Sequence, residues 1–349
     1  MLAILADDLT GALDSAAPFA GRGLRTEVAL TRDAMTAIVA DRPDVIAINL
    51  HTREIGVDAA RAATASAIGM LPTGTRLFKK VDSRLKGNIV AELDAIPFAR
   101  ALVVPAIPEF NRIVEGGSVR GFGVDMPVDI AGKLGPHAVR AVIPDTSSAA
   151  DIDAALDVAQ ADGTDLLIGA RGLAEALARR MTAQVQARPA DIPTGRITFV
   201  IGSRDPITLA QIDTLRAGHD IAYIAAPNGR IAETVRPDAA LTLVQATPGD
   251  SELDPQDVSE ALADGLSEAF RATSPPDVGS TGTLLLSGGA TAEAVMRRLS
   301  VTRLRLHGEC LPGLGLGSAD GRCIIAKSGG FGHPDTLKRI ADMALGRVI

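Results

Sequence analysis

Met1-Leu-Ala-Ile-Leu-Ala-Asp-Asp-Leu-Thr-Gly11 opens the chain, and the apolar run 2–6 leads straight into two carboxylates and a Thr-Gly pair. A signal peptide would carry a basic segment before a longer apolar stretch, so the run reads as a buried strand with acids at its carboxyl end. The pattern recurs. Strands are expected at 26–30, 45–49, 76–81, 101–105, 139–143 and 165–169, with helical patterns at 56–70, 88–96, 149–161 and 172–187. Pro18 would break a helix begun at Thr10, so the first helix is expected to start at Ser15, where the proline falls in its first turn. The glycines and prolines of 116–136 read as an irregular or hairpin excursion.

Ala187-Arg-Pro-Ala-Asp-Ile-Pro-Thr-Gly195 is the best linker candidate, and the alternation restarts after it with a strand at 196–201. Asp205-Pro206 and Asp254-Pro255 each supply an N-cap and a first-turn proline for a helix. Strands follow at 283–287, 303–307 and 322–326, and a last helix opens near Pro334. With 349 residues the chain exceeds the usual size of a single core. The expectation is an α/β protein of two domains, 1–190 and 195–349, each a mainly parallel sheet flanked by helices, with the active site in the interdomain cleft.

Composition excludes several classes. Aromatic residues make up 3%, with no Trp, and the net charge is -7, which argues against base stacking and against a positive field for nucleic acid. No run approaches the length of a membrane span. The two cysteines, Cys310 and Cys323, lack metal or redox spacing and read as small buried residues. A soluble cytoplasmic protein follows, with no nucleic-acid or membrane partner and room for a homodimer. The chain holds six Lys among 35 basic residues, so the positions that keep an ammonium invite attention.

Ligands of open parallel sheets collect outside the carboxyl ends of the strands. In the first half those places hold Asp7-Asp8-Leu-Thr10-Gly11, His51-Thr52-Arg53, Asp82-Ser83-Arg84-Leu-Lys86-Gly87-Asn88 and Asn111-Arg112. In the second they hold Gly202-Ser203-Arg204-Asp205, Ser287-Gly288-Gly289-Ala290-Thr291 and Lys327-Ser328-Gly329-Gly330-Phe-Gly332. Carboxylates with Arg and Lys suit a small anionic substrate, and glycine turns opening helices suit nucleotide phosphates. Asp7, Asp8 and Asp82 suit hydroxyl activation or Mg2+, and a mobile ammonium at Lys327 suits a transferring phosphate. Plainer roles stay open: Asp8 or Thr10 as a helix cap, the Gly pairs as ordinary turns, Arg84 and Lys86 as a solvated face. Gly313-Leu-Gly315-Leu-Gly317 mimics a dinucleotide fingerprint but leads to a strand, and no Walker loop, G-x-S-x-G elbow or His metal spacing is present.

Ala6-Asp-Asp-Leu-Thr-Gly11, Lys79-Lys-Val-Asp-Ser83 with Gly87-Asn88, Gly172-Leu-Ala174, the Gly288–Thr291 turn and Lys327-Ser-Gly-Gly-Phe-Gly332 together resemble the four-carbon acid sugar kinases. The resemblance implies an N-terminal acid-sugar domain and a C-terminal nucleotide domain, with ATP and Mg2+ serving phosphorylation of the terminal hydroxyl of a tetronate or oxo-tetronate. It implies Asp8, Arg53, Asp82, Ser83 and Lys86 around the acid sugar, and Ser203, Gly288, Gly289, Ala290, Thr291, Gly329 and Gly330 around ATP. Asp8 or Asp82 is then expected as the catalytic carboxylate, with Asp7, Arg53, Lys86, Arg112 and Arg84 on the substrate and Lys327 on the nucleotide. Arg84 and Lys86 stand where family members carry Thr and Arg, which loses a bidentate fork. That change motivates the alternative of a catalytically silent sensor for acid sugar or nucleotide.

Overall fold

The computed structural model describes residues 1–232, 239–273 and 282–347, which fall into two compact units, Met1–Arg188 and Pro189–Ile349. In the first unit, strands β1 (Leu2–Ala6), β2 (Thr26–Ala29), β3 (Val45–Asn49), β4 (Arg76–Lys80) and β5 (Ala101–Val104) follow one another in the chain. An antiparallel excursion, β6 (Arg112–Glu115), β7 (Ser118–Gly121) and β8 (Val128–Asp129), then precedes β9 (Ala141–Val142) and β10 (Leu166–Gly169). The main sheet of the unit is parallel throughout, in the order β2-β3-β1-β4-β10-β5-β9. All five residues of β1 are buried, as expected of a strand covered on both faces. Seven helices connect the strands: α1 (Leu9–Ala20), α2 (Arg32–Ala40), α3 (Val57–Gly69), α4 (Ile89–Ala95), α5 (Ile130–Leu134), α6 (Ala149–Ala161) and α7 (Arg171–Met181). The strand order reverses about β1, with β3 on one side and β4 on the other, and register aligns Ala6 with Asn49 and Lys80. The loops after these three strands therefore emerge side by side.

The second unit repeats the logic. Its strands are β11 (Ile197–Ile201), β12 (Ala222–Pro227), β13 (Leu241–Thr247), β14 (Thr283–Ser287), β15 (Arg303–Leu311), β16 (Leu314–Ala319) and β17 (Arg322–Lys327). Their order is β12-β13-β11-β14-β17-β16-β15, parallel except for β16, which is antiparallel to both neighbours. Helices α8 (Pro206–Gly218) and α11 (Thr336–Ala344) pack together, as do α9 (Pro255–Thr273) and α10 (Gly289–Arg298). Phe199 and Ile201 meet Ile212, Leu215, Leu337 and Ile340 in one apolar cluster. The switch in strand order falls at β11, between β13 and β14, so the loops after β11 and β14 converge.

The first helix departs from the expectation. It starts at Leu9, not Ser15, because the Asp8 carboxylate caps it by accepting from Gly11 N at 2.8 Å, and Pro18 lies inside it. Ten of its residues are buried, and that packing outweighs the one hydrogen bond the proline removes. The seventh helix ends at Met181 where Thr182 turns extended, short of the expected 187. Gly315 and Gly317 belong to strand β16, and a Cβ on Gly317 would lie 2.6 Å from Leu304, so Gly317 serves strand packing. Among the described residues no helix is long and apolar enough to cross a membrane, and both cysteines are free. Cys310 is buried, which pushes its thiol up to about 12, whereas Cys323 is only half-buried.

Lys79 and Lys80 end β4 on opposite faces, as strand alternation requires. Lys79 is fully buried, 3.0 Å from Glu92 Oε2 of α4, and the second carboxylate oxygen of Glu92 accepts the Thr52 hydroxyl. Removing one member of such a pair strands the other charge away from water. Lys79→Met should therefore lower the unfolding free energy by about 3 kcal/mol, read by urea titration. Lys79→Met combined with Glu92→Leu should recover part of that loss.

Candidate functional site

In the first unit the site begins with a buried acid. Asp7, 2% exposed at the end of β1, receives Arg53 Nε at 2.7 Å and Nη2 at 3.0 Å, a bidentate pair. Burial alone would push the Asp7 carboxyl up, but Lys79, the Arg53 hydrogen bonds and Lys80 together hold it below the ordinary carboxylate value. Arg53 Nη1 also donates to Asp8 Oδ2 at 2.5 Å. Burial opposes the charge on Arg53, and Asp7 and Asp8 more than offset it, so its pKa is raised. Asp8 is fully engaged: Oδ1 caps α1, and Oδ2 also accepts the Thr10 hydroxyl at 2.8 Å. Lys80 is 5% exposed and has no ion-pair partner among the described residues. A Cβ on Gly11 would come 2.6 Å from Asp8 Oδ1 and 2.8 Å from the Lys80 Nζ, so the glycine lets both side chains sit close to α1.

The loop after β4 folds back on Asp82, whose Oδ2 accepts from Arg84 N at 2.9 Å and Lys86 N at 3.4 Å. Its Oδ1 accepts nothing among the described residues. Leu85 at φ 56° and Gly87 at φ 93° make the turn, and a Cβ on Gly87 would sit 3.0 Å from Asp7 Oδ2. Arg84 and Lys86 are exposed, with side chains unpaired among the described residues. Arg112 donates to the buried Ser83 hydroxyl at 2.6 Å and twice to the Phe122 carbonyl, tying the β6–β8 excursion to this loop. Burial, then Arg84, lowers the Arg112 pKa against the opposing pull of Asp82, so these three charges share one electrostatic neighbourhood. The first unit thus presents one open carboxylate oxygen among several cations, which suits a small hydroxylated anion.

The second unit presents backbone. Gly288, at φ 106° and ψ 130°, precedes α10 without a side-chain cap, leaving the first-turn N–H groups of Gly289, Ala290 and Thr291 open. By contrast Asp205 caps α8 through Ile207 N at 2.9 Å. Three strand-end loops meet here. A Cβ on Gly202 would fall 1.9 Å from Thr291 Oγ1, one on Gly288 3.4 Å from Ser203 N, and one on Gly329 2.2 Å from Ser203 Oγ. A cavity of about 290 Å³ is lined by Gly202–Arg204, Gly288–Thr291 and the aliphatic wall of Leu253, Pro255 and Val258. A second cavity, of about 380 Å³, is lined by Arg76, Leu156, Leu177 and Arg180; it lies at the amino end of β4, away from the strand ends that carry these loops.

The expected residues therefore gather in two clusters. In the first, Arg53 binds Asp7 and Asp8, Arg112 binds Ser83, and Asp82 acts electrostatically on both Arg53 and Arg112, with Arg84 and Lys86 at the rim. Ser203, Gly288–Thr291, Gly329 and Gly330 converge in the second. Lys327 corrects the reading of a mobile ammonium: it is fully buried, with Nζ bonded to Thr208 Oγ1 at 3.1 Å, Ser328 O at 3.0 Å and Gly329 O at 3.1 Å. Desolvation lowers its pKa to about 8, against the opposing pull of Asp205. Sequence reasoning missed Glu92, Thr208 and Ser259, whose hydroxyl lies 3.1 Å from Thr291 Oγ1. Nothing in spacing marked Glu92, whereas Thr208 follows the Asp205 cap by three positions and was available; Thr52 stood in a strand-end cluster with no role of its own until its hydroxyl was seen on Glu92.

Residues 2–129 match the family described as a sugar-binding N-terminal domain, and residues 198–337 the one described as a nucleotide-binding C-terminal domain. Over 96% of its length the chain is 28% identical to a D-threonate kinase of Cupriavidus necator, covering 95% of that protein. It is 24% identical to a D-erythronate kinase of Heliobacterium modesticaldum, covering 99% of this chain and 97% of the other. A solved Haemophilus influenzae structure shares the fold at a TM-score of 0.72 and 19% identity, over 99% of this chain and 100% of that one.

Gly202 offers a direct check on the second cluster. Gly202→Ala would drive its methyl into Thr291 Oγ1 and so displace the first turn of α10. Thermal unfolding should show a lower Tm for Gly202→Ala, partly restored when Thr291→Ala removes the clashing Oγ1.

Proposed function

We propose that this chain, a member of the four-carbon acid sugar kinase family, transfers the terminal phosphoryl group of ATP to the terminal hydroxyl of a four-carbon acid sugar, a tetronate or oxo-tetronate. The observation that carries the reading is the open Oδ1 of Asp82 set among unpaired cations, in a chain whose other unit holds an uncapped helix N-terminus and a glycine cradle. The relatives' names support the same reaction class.

Asp82 is the better base of the two expected carboxylates. Asp8 spends both oxygens on the α1 cap, Thr10 and Arg53, whereas Asp82 keeps one oxygen for the acceptor hydroxyl. Asp7 and Asp8 instead fix the Arg53 plane, which retains two of its five N–H donors for the substrate. Arg84 and Lys86 at the rim, and Lys80 beside Gly11, supply charge for the substrate carboxylate. Arg112 holds Ser83 at the loop and sets its orientation.

As the acceptor oxygen bonds to the γ-phosphorus, the bridging P–O bond breaks, ADP leaves with that electron pair, and the hydroxyl proton passes to Asp82. In the second unit the N–H groups of Gly289, Ala290 and Thr291 would hold phosphate oxygens along the α10 dipole, and the aliphatic wall of Leu253, Pro255 and Val258 would face the nucleoside. Among the described residues no group of three or more His, Cys, Asp or Glu is placed to hold a metal ion. Mg2+ would therefore be held mainly by the phosphates, with the Ser203 hydroxyl as a protein donor, and would neutralise their charge.

The test is an ADP-release assay over threonates, erythronates and oxo-tetronates. Asp82→Asn should lower kcat by about a hundred- to ten-thousandfold while KM for the acid sugar stays within about threefold. Absence of ADP release with every C4 acid, in protein that still binds ATP, would overturn the reading. Stabilisation by an acid sugar with no turnover would identify a sensor instead.

A further inference from the structure

Lys327 has no donor left for a ligand, yet it sits directly behind the glycine loop. An ammonium carries three N–H bonds, and its three oxygen partners are Thr208 Oγ1, Ser328 O and Gly329 O. Thr208 also donates its own hydroxyl to Gly329 O at 2.7 Å. Every peptide bond in the described chain is trans, so each C=O points opposite to the N–H of the following residue. Drawing Ser328 O and Gly329 O inward therefore turns the N–H groups of Gly329 and Gly330 outward. Neither N–H donates a hydrogen bond among the described residues. Ser203 and Asp205 border the two glycines: a Cβ on Gly329 would be 2.2 Å from Ser203 Oγ, and one on Gly330 3.3 Å from Asp205 Oδ2.

We infer that Lys327 is a positioning residue: its buried ammonium, with Thr208, fixes the Ser328–Gly330 peptides so that two adjacent backbone N–H groups form an anion nest for a nucleotide phosphate. The ligand class is that of the proposed function, on which the inference rests; the new content is that the lysine acts from behind the loop and touches no phosphate. Two successive unpaired N–H groups facing one side form the concavity that backbone anion sites use.

The charge on Lys327 gives a handle. Burial brings its pKa to about 8, and Asp205 is the charged group acting on it; Thr208 and Gln211 from α8, Ser287 from β14 and Leu314 from β16 are uncharged. As pH rises through about 8 the pin loses a donor and its charge, and the nest loosens. An unfolded lysine keeps its proton to about 10.5. Between those values the unfolded state binds more protons, so this group's contribution to fold stability rises with pH while the nest weakens. A merely structural lysine would not separate the two.

In ligand-free wild type, the Gly329 and Gly330 amide resonances should move with a midpoint near pH 8, and in Lys327→Met they should be displaced and pH-independent. By calorimetry at pH 7, Lys327→Met should weaken ATP and ADP on the order of tenfold and leave adenosine unchanged. Thr208→Val, which touches no phosphate in either account, should weaken ATP several-fold and add little on top of Lys327→Met. Static wild-type amide resonances across pH 7 to 9 would overturn the inference. So would Thr208→Val binding ATP normally while Lys327→Met does not, since that would make the ammonium a direct phosphate ligand. If wild type binds neither ATP nor ADP, the kinase reading falls, and the amide resonances still decide whether Lys327 orients the loop.

Discussion

The Arg53 guanidinium, clamped between Asp7 and Asp8, is the interaction on which the first unit's chemistry depends. Asp7 is nearly inaccessible to water, and an isolated carboxylate there would give up its charge. Arg53 prevents that, and the neighbouring Thr52 holds Glu92, which neutralises Lys79, which in turn acts on Asp7. With Asp8 and Lys80 the group contains three carboxylates and three cations. The interior is thus balanced before any ligand arrives. Arg84, Lys86 and Arg112, set against Asp82 alone, form the uncompensated positive part, and it lies at the rim where an anionic substrate can reach it.

The second unit gathers different groups at its strand ends. No comparable carboxylate network stands among its described strand ends. It offers backbone N–H groups: those of the first turn of α10, left open because Gly288 has no capping side chain, and those of Gly329 and Gly330. Side-chain cations suit a ligand whose carboxylate and hydroxyls must be told apart by position. Backbone amides suit phosphates, which need many short donors and close approach. The division between the units is thus a division of donor chemistry, side-chain cations in one and backbone amides in the other, which is what the proposed acid sugar and ATP call for.

Much of the frame was legible because parallel strands buried on both faces read as continuous apolar runs: 2–6, 45–49, 197–201 and 283–287 are unmistakable. The strand 314–319 was not, since glycines interrupt Leu-Gly-Leu-Gly-Ser-Ala, one of them, Gly317, packing close against Leu304. The start of α1 was misread because a local rule about proline was given more weight than the capping power of Asp8, and tertiary burial decided otherwise. At the site, the loops could be found from strand ends alone, but the standing of each side chain could not. Asp8 and Asp82 look alike in sequence; only the folded loop shows one carboxylate spent and the other open.

The choice of basic residue follows from these environments. Where two carboxylates must be held in a plane, the chain uses Arg, whose fork gives Nε and both terminal nitrogens to Asp7 and Asp8 at once. Inside the protein it uses both cations: Lys79, Lys80 and Lys327 are each 5% exposed or less, and Arg22 and Arg171 are buried as well. A compact ammonium can point three bonds at converging oxygens, as Lys327 does toward a hydroxyl and two carbonyls, whereas a planar guanidinium would need more space and a flat set of acceptors. Ammonium is also the one of the two whose charge can be shed near neutral pH when water is withdrawn. A chain with six lysines has placed three of them where burial, not solvent exposure, sets their behaviour. They share the interior with the buried Arg22 and Arg171, and Lys327 shows what the smaller cation adds there: an ammonium that three converging oxygens can enclose.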